Sequence, residues 1–249
     1  MRPILTIITI FSVILCCGQS ASFKEIKPKP NSKHYNSKET TIIFPSVLTK
    51  NSKIDDLINF RIKEDVFVPE NDNQSLKSVL NEHINEYGLV NLAYQVTYNR
   101  LGILSLSIYF EGCGAYCSSS TSYFTFDLST GKKVSIDEIF LKDKIDSFKA
   151  VVQLEKKSSL AKYKLEERNS LLNKEIDSVT YDWAMSQIDE NCINQFSIDQ
   201  FSISNNSIEI FDPCDFPHAI GSQTPTIELK YSYNSISYFL NPKFRKILK

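Results

Sequence analysis

Glycine is scarce here, with seven in 249 residues, and none of them cluster. A loop that cradles phosphate needs several glycines close together, so nucleotide-binding loops of that kind are excluded. Histidine is scarcer, with three residues. His34 sits in a Pro- and Lys-rich stretch, and His83 beside Glu82 on a helical pattern expected to face water. That leaves His218 as the one imidazole in a loop with chemistry around it. No GxSxG turn is present to strain a serine into a nucleophile. No CxxC knuckle is present, so the cysteines lack zinc-site spacing. Neither sign of charge dominates: 28 Lys and Arg face 29 Asp and Glu, for a net of −1. That balance argues against nucleic acid as a partner. No internal repeat is visible. The single tryptophan, Trp183, is expected in the core of a helix running from about Thr180 to Glu190.

The N-terminus does carry a long apolar run. Arg2 precedes an uncharged stretch from Ile4 to Cys17, and Gly18, Gln19 and Ser20 then supply a signal-peptidase type of site. Residues 1–20 are therefore expected to direct export, and the run is too short for a permanent span. Ile14-Leu15-Cys16-Cys17 also resembles a bacterial lipobox with Cys17 as the lipidated residue, so anchored and freely secreted forms both stay open. A lipid on Cys17 is the one membrane attachment expected. Residues 21–39, with five lysines and two prolines up to Lys38, read as a solvated basic linker.

Four cysteines remain, Cys113, Cys117, Cys192 and Cys214. In an exported chain they suggest two disulfides among three connectivities. Cys113–Cys117 and Cys192–Cys214 are favoured, the second as a staple between neighbouring strands. The roughly 210 residues beyond position 39 suffice for one substantial core.

Apolar periodicity assigns the elements. Thr40–Leu48 reads as a strand demoted to an edge by Pro45. Ile54, Leu57, Ile58 and Ile62, then Leu76, Val79, Leu80 and Ile84, recur at helical spacing, with Ser75 as a cap and Gly88 as the stop. Val90–Tyr98 alternates with period two. Strands at Ile103–Phe110 and Ser122–Leu128 follow, around a Cys-bounded loop. Gly131 suits a tight turn, and Ser135 with Glu138 forms a capping box. A charged helix spans Asp143–Asp177, with Val151 and Leu154 among its apolar positions and Lys156 facing water. A hairpin turns at Asn205-Asn206. The fold class is α+β, an antiparallel sheet with helices packed on one side. It divides into an N-terminal part at 40–98, a main domain at 99–242 and a frayed basic tail at 243–249.

Two constellations bear on function. Asp212, Asp215 and His218 share one loop and could serve as an acid–base cluster; the rival reading is a structural turn stapled by Cys214. The second is the segment Asn99–Phe140. It holds Gly102-Ile103-Leu104-Ser105, Gly114-Ala115, Phe126-Asp127-Leu128, Thr130-Gly131, Asp137 and Phe140. Together with Ile208–Phe211 and His218-Ala219-Ile220-Gly221, it resembles the RsiV-like extracytoplasmic domain over about two-thirds of the chain beyond the signal. That domain belongs to lysozyme-sensing anti-sigma factors and accompanies some peptidoglycan deacetylases. The family commonly has His after Gly-Ala, where this chain has Tyr116 between two cysteines. The loop is thus expected to present a clamped tyrosine to a partner rather than a metal ligand. The chain shows no sigma-binding segment or membrane span, so that signalling route is not expected.

The reading is an exported, non-catalytic envelope protein in the periplasm, the outer membrane or the cell surface. It is expected to bind a lysozyme-like protein or peptidoglycan through Tyr116 and His218, with no metal and no cofactor. The competing readings are a glycan-modifying enzyme that uses Asp212, Asp215 and His218, and a structural accessory lipoprotein.

Overall fold

The computed structural model describes residues 19–28, 41–68, 73–115, 117–193, 195–212, 214, 216–225 and 227–248, with the backbone alone at 218, 219 and 222. The expected lipidation residue Cys17, Tyr116 and Asp215 lie outside them. The fold is α+β, with mainly antiparallel sheets and helices packed against them.

The largest sheet has five strands in the order β2-β4-β5-β6-β7. They are β2 (Thr41–Ile42), β4 (Leu89–Arg100), β5 (Ile103–Cys113), β6 (Cys117–Asp127) and β7 (Lys132–Lys133). Among the described residues only the short β2–β4 pairing is parallel. Gly102 and Gly131 take positive φ at the turns after β4 and before β7, as tight reversals require.

Period-two alternation sorts the strands' side chains onto two faces. Leu104, Leu106, Ile108, Phe124 and Phe126 point to one face. Leu104 sits opposite Phe126 and Leu106 opposite Phe124. Onto this face pack helix α1 (Ser52–Phe67), through Ile54, Ile58 and Ile62, and helix α2 (Leu76–Asn85), through Val79, Leu80 and Ile84. Asn51 and Ser75 cap their N-termini. A register shift between Val96 and Tyr98 turns β4 over. Tyr94 and Val96 therefore pack with the first core and Tyr98 with the second.

The opposite face carries hydroxyls. Thr125 donates to Ser105 Oγ at 3.2 Å, Ser202 donates to Thr97 at 3.0 Å, and the Ile203 amide donates to Ser105 Oγ at 3.0 Å. These bonds seat the edge strand β8 (Phe201–Ile203) of a three-stranded sheet. Its other strands are β9 (Ser207–Phe211) and β10 (Glu228–Ser232), and the β8–β9 hairpin turns at Asn205-Asn206 as expected. Serine and threonine thus satisfy a strand edge that would otherwise be exposed. The long helix α4 (Ile145–Leu172) covers this sheet through Phe148 and Val152, and Phe148 meets Tyr231 edge-on at 5.2 Å. The short α3 (Ile136–Ile139) begins with the expected Ser135/Glu138 capping box. Helix α5 (Ser178–Gln187) follows α4, and α6 (Tyr233–Ile236) and α7 (Pro242–Ile247) close the chain.

Several expectations need correction. The basic stretch after residue 20 is no linker at its start: β1 (Ser22–Ile26) pairs with β3 (Phe44–Leu48). Phe23 packs on Tyr94, and the Asn99 side chain exchanges two hydrogen bonds with the Ala21 backbone, at 2.8 and 2.7 Å. Lysine-rich composition hid a strand whose Phe23 and Ile26 pack against the first core. The boundary placed at 98–99 runs through the β4–β5 hairpin, and the first core extends to Leu128. In place of a frayed tail, Asn241 caps α7, which buries Phe244, and Leu248 is buried beyond it. Trp183 is 39% exposed rather than core, and Val151 and Leu154 point outward. No described helix is long and apolar enough to cross a membrane.

Candidate functional site

The β5–β6 hairpin is the first candidate. Cys113 and Cys117 face each other in register at its tip and form a disulfide. Beyond the tip the ribbon runs regularly back into the sheet, so the expected loop is instead the start of a strand. Residues 117–121 of β6 are exposed. In the described residues β7 pairs only with Phe126 and Asp127, which leaves the outer edge of β6 near the tip open. Tyr116 lies between the cysteines, outside the described residues.

The tip is anchored to the residue that precedes β4. The Cys113 amide donates to Gly88 O at 2.8 Å. Gly88 has a φ of +67°, and a Cβ there would stand 2.0 Å from Cys113 O. Gly88→Ala should therefore unseat the hairpin and cost about 2 kcal/mol; urea denaturation checks the loss. Beside Gly88, His83 packs among Phe67, Tyr87 and Phe110 instead of on a solvated face, with ring centroids 4.8, 5.0 and 6.1 Å away. Burial lowers the pKa of His83, against the pull of Glu82 and the Phe67 carbonyl. Its neutral ring serves as a wall beneath the hairpin.

The Asp212 loop is arranged differently from the acid–base cluster expected of it. Asp212 is buried, and Lys156 of α4 reaches it at 2.6 Å. Lys156 is itself 2% exposed and donates to Gln195 O at 2.7 Å. The charged helix thus turns one lysine inward, contrary to its expected solvated position. Burial raises the Asp212 carboxyl pKa, with Lys156 pulling it back. Cys192–Cys214 forms as expected. It ties the π turn Ile188–Cys192, which follows α5, to this loop, and does not join two strands. His218 opens the 3₁₀ helix His218–Gln223, its side chain outside the description, as is Asp215. Asp212 is committed to an ion pair and is not offered to a substrate. Among the described residues no group of three His, Cys, Asp or Glu could hold a metal.

A third feature escaped sequence reading. A cleft of about 580 Å³ opens between the β8–β9 turn, α6 and α7, lined by residues that include Asn205, Asn206, Asn234, Leu240 and Arg245. Its asparagines read in sequence as turn chemistry and its arginine as tail. Nothing local signals that they meet.

No family model and no curated protein matches this sequence. Solved structures do match. The crystal structure of a member of the DUF3298 family from Bacteroides fragilis NCTC 9343 superposes with a TM-score of 0.56 at 14% identity, covering 93% of this chain and 97% of that one. A DUF3298 family protein from Pseudomonas aeruginosa PAO1 does so with a TM-score of 0.56 at 14% identity, covering 91% and 96%. At that identity the likeness is one of fold: nearly the whole chain shares the α+β architecture of these DUF3298 proteins.

Proposed function

We propose that this chain is an exported, non-catalytic envelope protein that grips a macromolecular partner with the Cys113–Cys117 hairpin, and that the partner is a lysozyme-like hydrolase. The observation that carries the reading is the clamped hairpin itself. Its outer strand is exposed and uncharged at residues 117–121, its inner strand pairs with β4 as far as Gly112, and its tip is fixed by a disulfide and by the Cys113–Gly88 hydrogen bond. The strands beside that tip have little conformational entropy left to lose on binding. Two disulfides support an oxidising compartment. The RsiV-like segment points to the lysozyme class. His218 is assigned a secondary contact by the same resemblance.

A lipid on Cys17 is part of the reading. The Gln19 side chain donates to Leu128 O at 2.8 Å, and Gln19 O accepts from Gly102 at 3.0 Å. A cut after residue 20 would discard both bonds; a cut before Cys17 keeps them. The committed Lys156–Asp212 pair weighs against the enzymatic alternative, which needs an accessible Asp212.

Biolayer interferometry with immobilised lysozyme, at low and physiological salt, tests the reading. Binding that survives physiological salt and falls at least about tenfold in Tyr116→Ala supports it, since an anchoring tyrosine carries that much. Binding seen only at low salt is non-specific charge attraction and refutes it.

A further inference from the structure

The cleft at the other end of the molecule goes beyond the hairpin reading and stands without it. The hairpin tip and the cleft lie at opposite ends of the β4–β5 ladder. Cys113 sits near Leu89 at one end, and Tyr98 and Arg100 at the other. Ten residues of β5 separate the ends, about 33 Å of strand.

We propose that this cleft binds a sugar bearing a carboxylate. Arg245 supplies the positive charge of the cleft. Its Nε is shielded from solvent and has no hydrogen-bond partner, while one terminal nitrogen donates to Leu240 O at 3.2 Å. Among the described residues no carboxylate pairs with it. A shielded N–H without an acceptor is costly and calls for a reason. A guanidinium on the cleft wall, held by one nitrogen, matches through its terminal N–H groups a carboxylate that accepts two parallel bonds.

The other walls match hydroxyl groups. Asn205, Asn206 and Asn234 line the cleft, and their side-chain amides make no hydrogen bond among the described residues. Each amide offers both donors and an acceptor, and a sugar hydroxyl is both. The cleft offers no exposed aromatic platform, because Tyr233 is buried. Charge and amide bonding, rather than stacking, would hold the ligand. The volume of about 580 Å³ lies in the range of small-ligand sites.

The walls are also fixed in advance. The Tyr233 amide donates to Asn206 O at 3.2 Å, and the Tyr233 hydroxyl donates to Ser204 O, so α6 holds the β8–β9 turn. The Tyr98 hydroxyl donates to Ile247 O at 3.0 Å and pins α7 to the large sheet. Arg245 and the three asparagines therefore come from different parts of the chain, and these bonds hold their backbones in one geometry. Preorganisation of this kind lowers the entropic cost of binding.

The test is an NMR titration of the ¹⁵N-labelled protein with tetragalacturonate and, separately, with the uncharged galactose tetramer. The expected result is saturable shifts of the Arg245 Nε–H and of the Asn205, Asn206 and Asn234 side-chain amides with the acidic tetramer. Shifts with the neutral one should be at least about tenfold weaker, as a charge-assisted pair requires. Arg245→Gln should abolish that preference. Asn234→Ala, at an exposed position that leaves the fold intact, should weaken binding about threefold to tenfold, the loss of one or two hydrogen bonds. Lysozyme binding should be unchanged in both variants, so failure here leaves the hairpin reading standing. Absence of shifts at these resonances at millimolar ligand, equal response to the neutral tetramer, or unaltered binding in both variants would overturn the proposal.

Discussion

Asp212→Ala should cost about 3–5 kcal/mol of folding stability, the range for stripping one partner from a buried ion pair. Lys156 and Asp212 have side chains only 2% and 5% exposed, and their charged atoms lie 2.6 Å apart. Removal of the carboxylate leaves an ammonium under α4 with Gln195 O as its remaining partner. Water cannot reach it, and the lost solvation is not regained. Lys156→Met/Asp212→Leu should recover most of the loss, because it removes the buried charge with its counter-charge. Urea denaturation of the two single variants and the double gives the coupling directly. A cost below about 1 kcal/mol for Asp212→Ala would mean that the pair behaves like an exposed one.

Cys192→Ala/Cys214→Ala should cost about 3 kcal/mol. The cysteines are separated by 22 positions, and closing a loop of that length in the unfolded chain accounts for about that much. Both are buried at 0% and 3% exposure, so truncation also loses packing. The bridge holds the residues after β9 against the π turn beyond α5, two positions from Asp212. Its removal and Asp212→Ala should therefore be non-additive, since each loosens what the other holds. The urea midpoint of the double cysteine variant checks the cost. Cys113–Cys117 spans four positions and by the same relation constrains the unfolded chain by about 2 kcal/mol. Its loss should move the midpoint less than loss of Cys192–Cys214 while it weakens lysozyme binding, which separates the bridge that holds the fold from the bridge that shapes the hairpin.

Much of the architecture was legible in sequence because it is locally encoded. Ile54, Ile58 and Ile62, and Val79, Leu80 and Ile84, mark helix faces at 3.6-residue spacing, and both sets pack on the sheet. Alternation set the two faces of β5 and β6. The Ser135/Glu138 box, the Gly131 turn and the Asn205-Asn206 hairpin are short-range devices, and all formed where they were read. Both disulfide pairings were also read correctly.

What failed depended on partners distant in sequence. Lys156 looks like any lysine on a charged helix, and only Asp212 across the fold makes its burial tolerable. His83 beside Glu82 looks solvated until Phe110 arrives from β5. The lysines around Phe23 mask a strand that exists because β3 lies alongside. Trp183 stays partly exposed because Ala184 and Ile188, not the indole, take the buried positions around it. The sequence alone thus determined helices α1 and α2, the central parts of strands β4, β5 and β6, the turns between them and the apolar faces of α1, α2, β5 and β6, because those follow from neighbours a few residues away. The tertiary structure decided which charges are buried, how the hairpin is anchored, and that Arg245 and three asparagines share one cleft, because each requires side chains from separate segments to arrive at the same place.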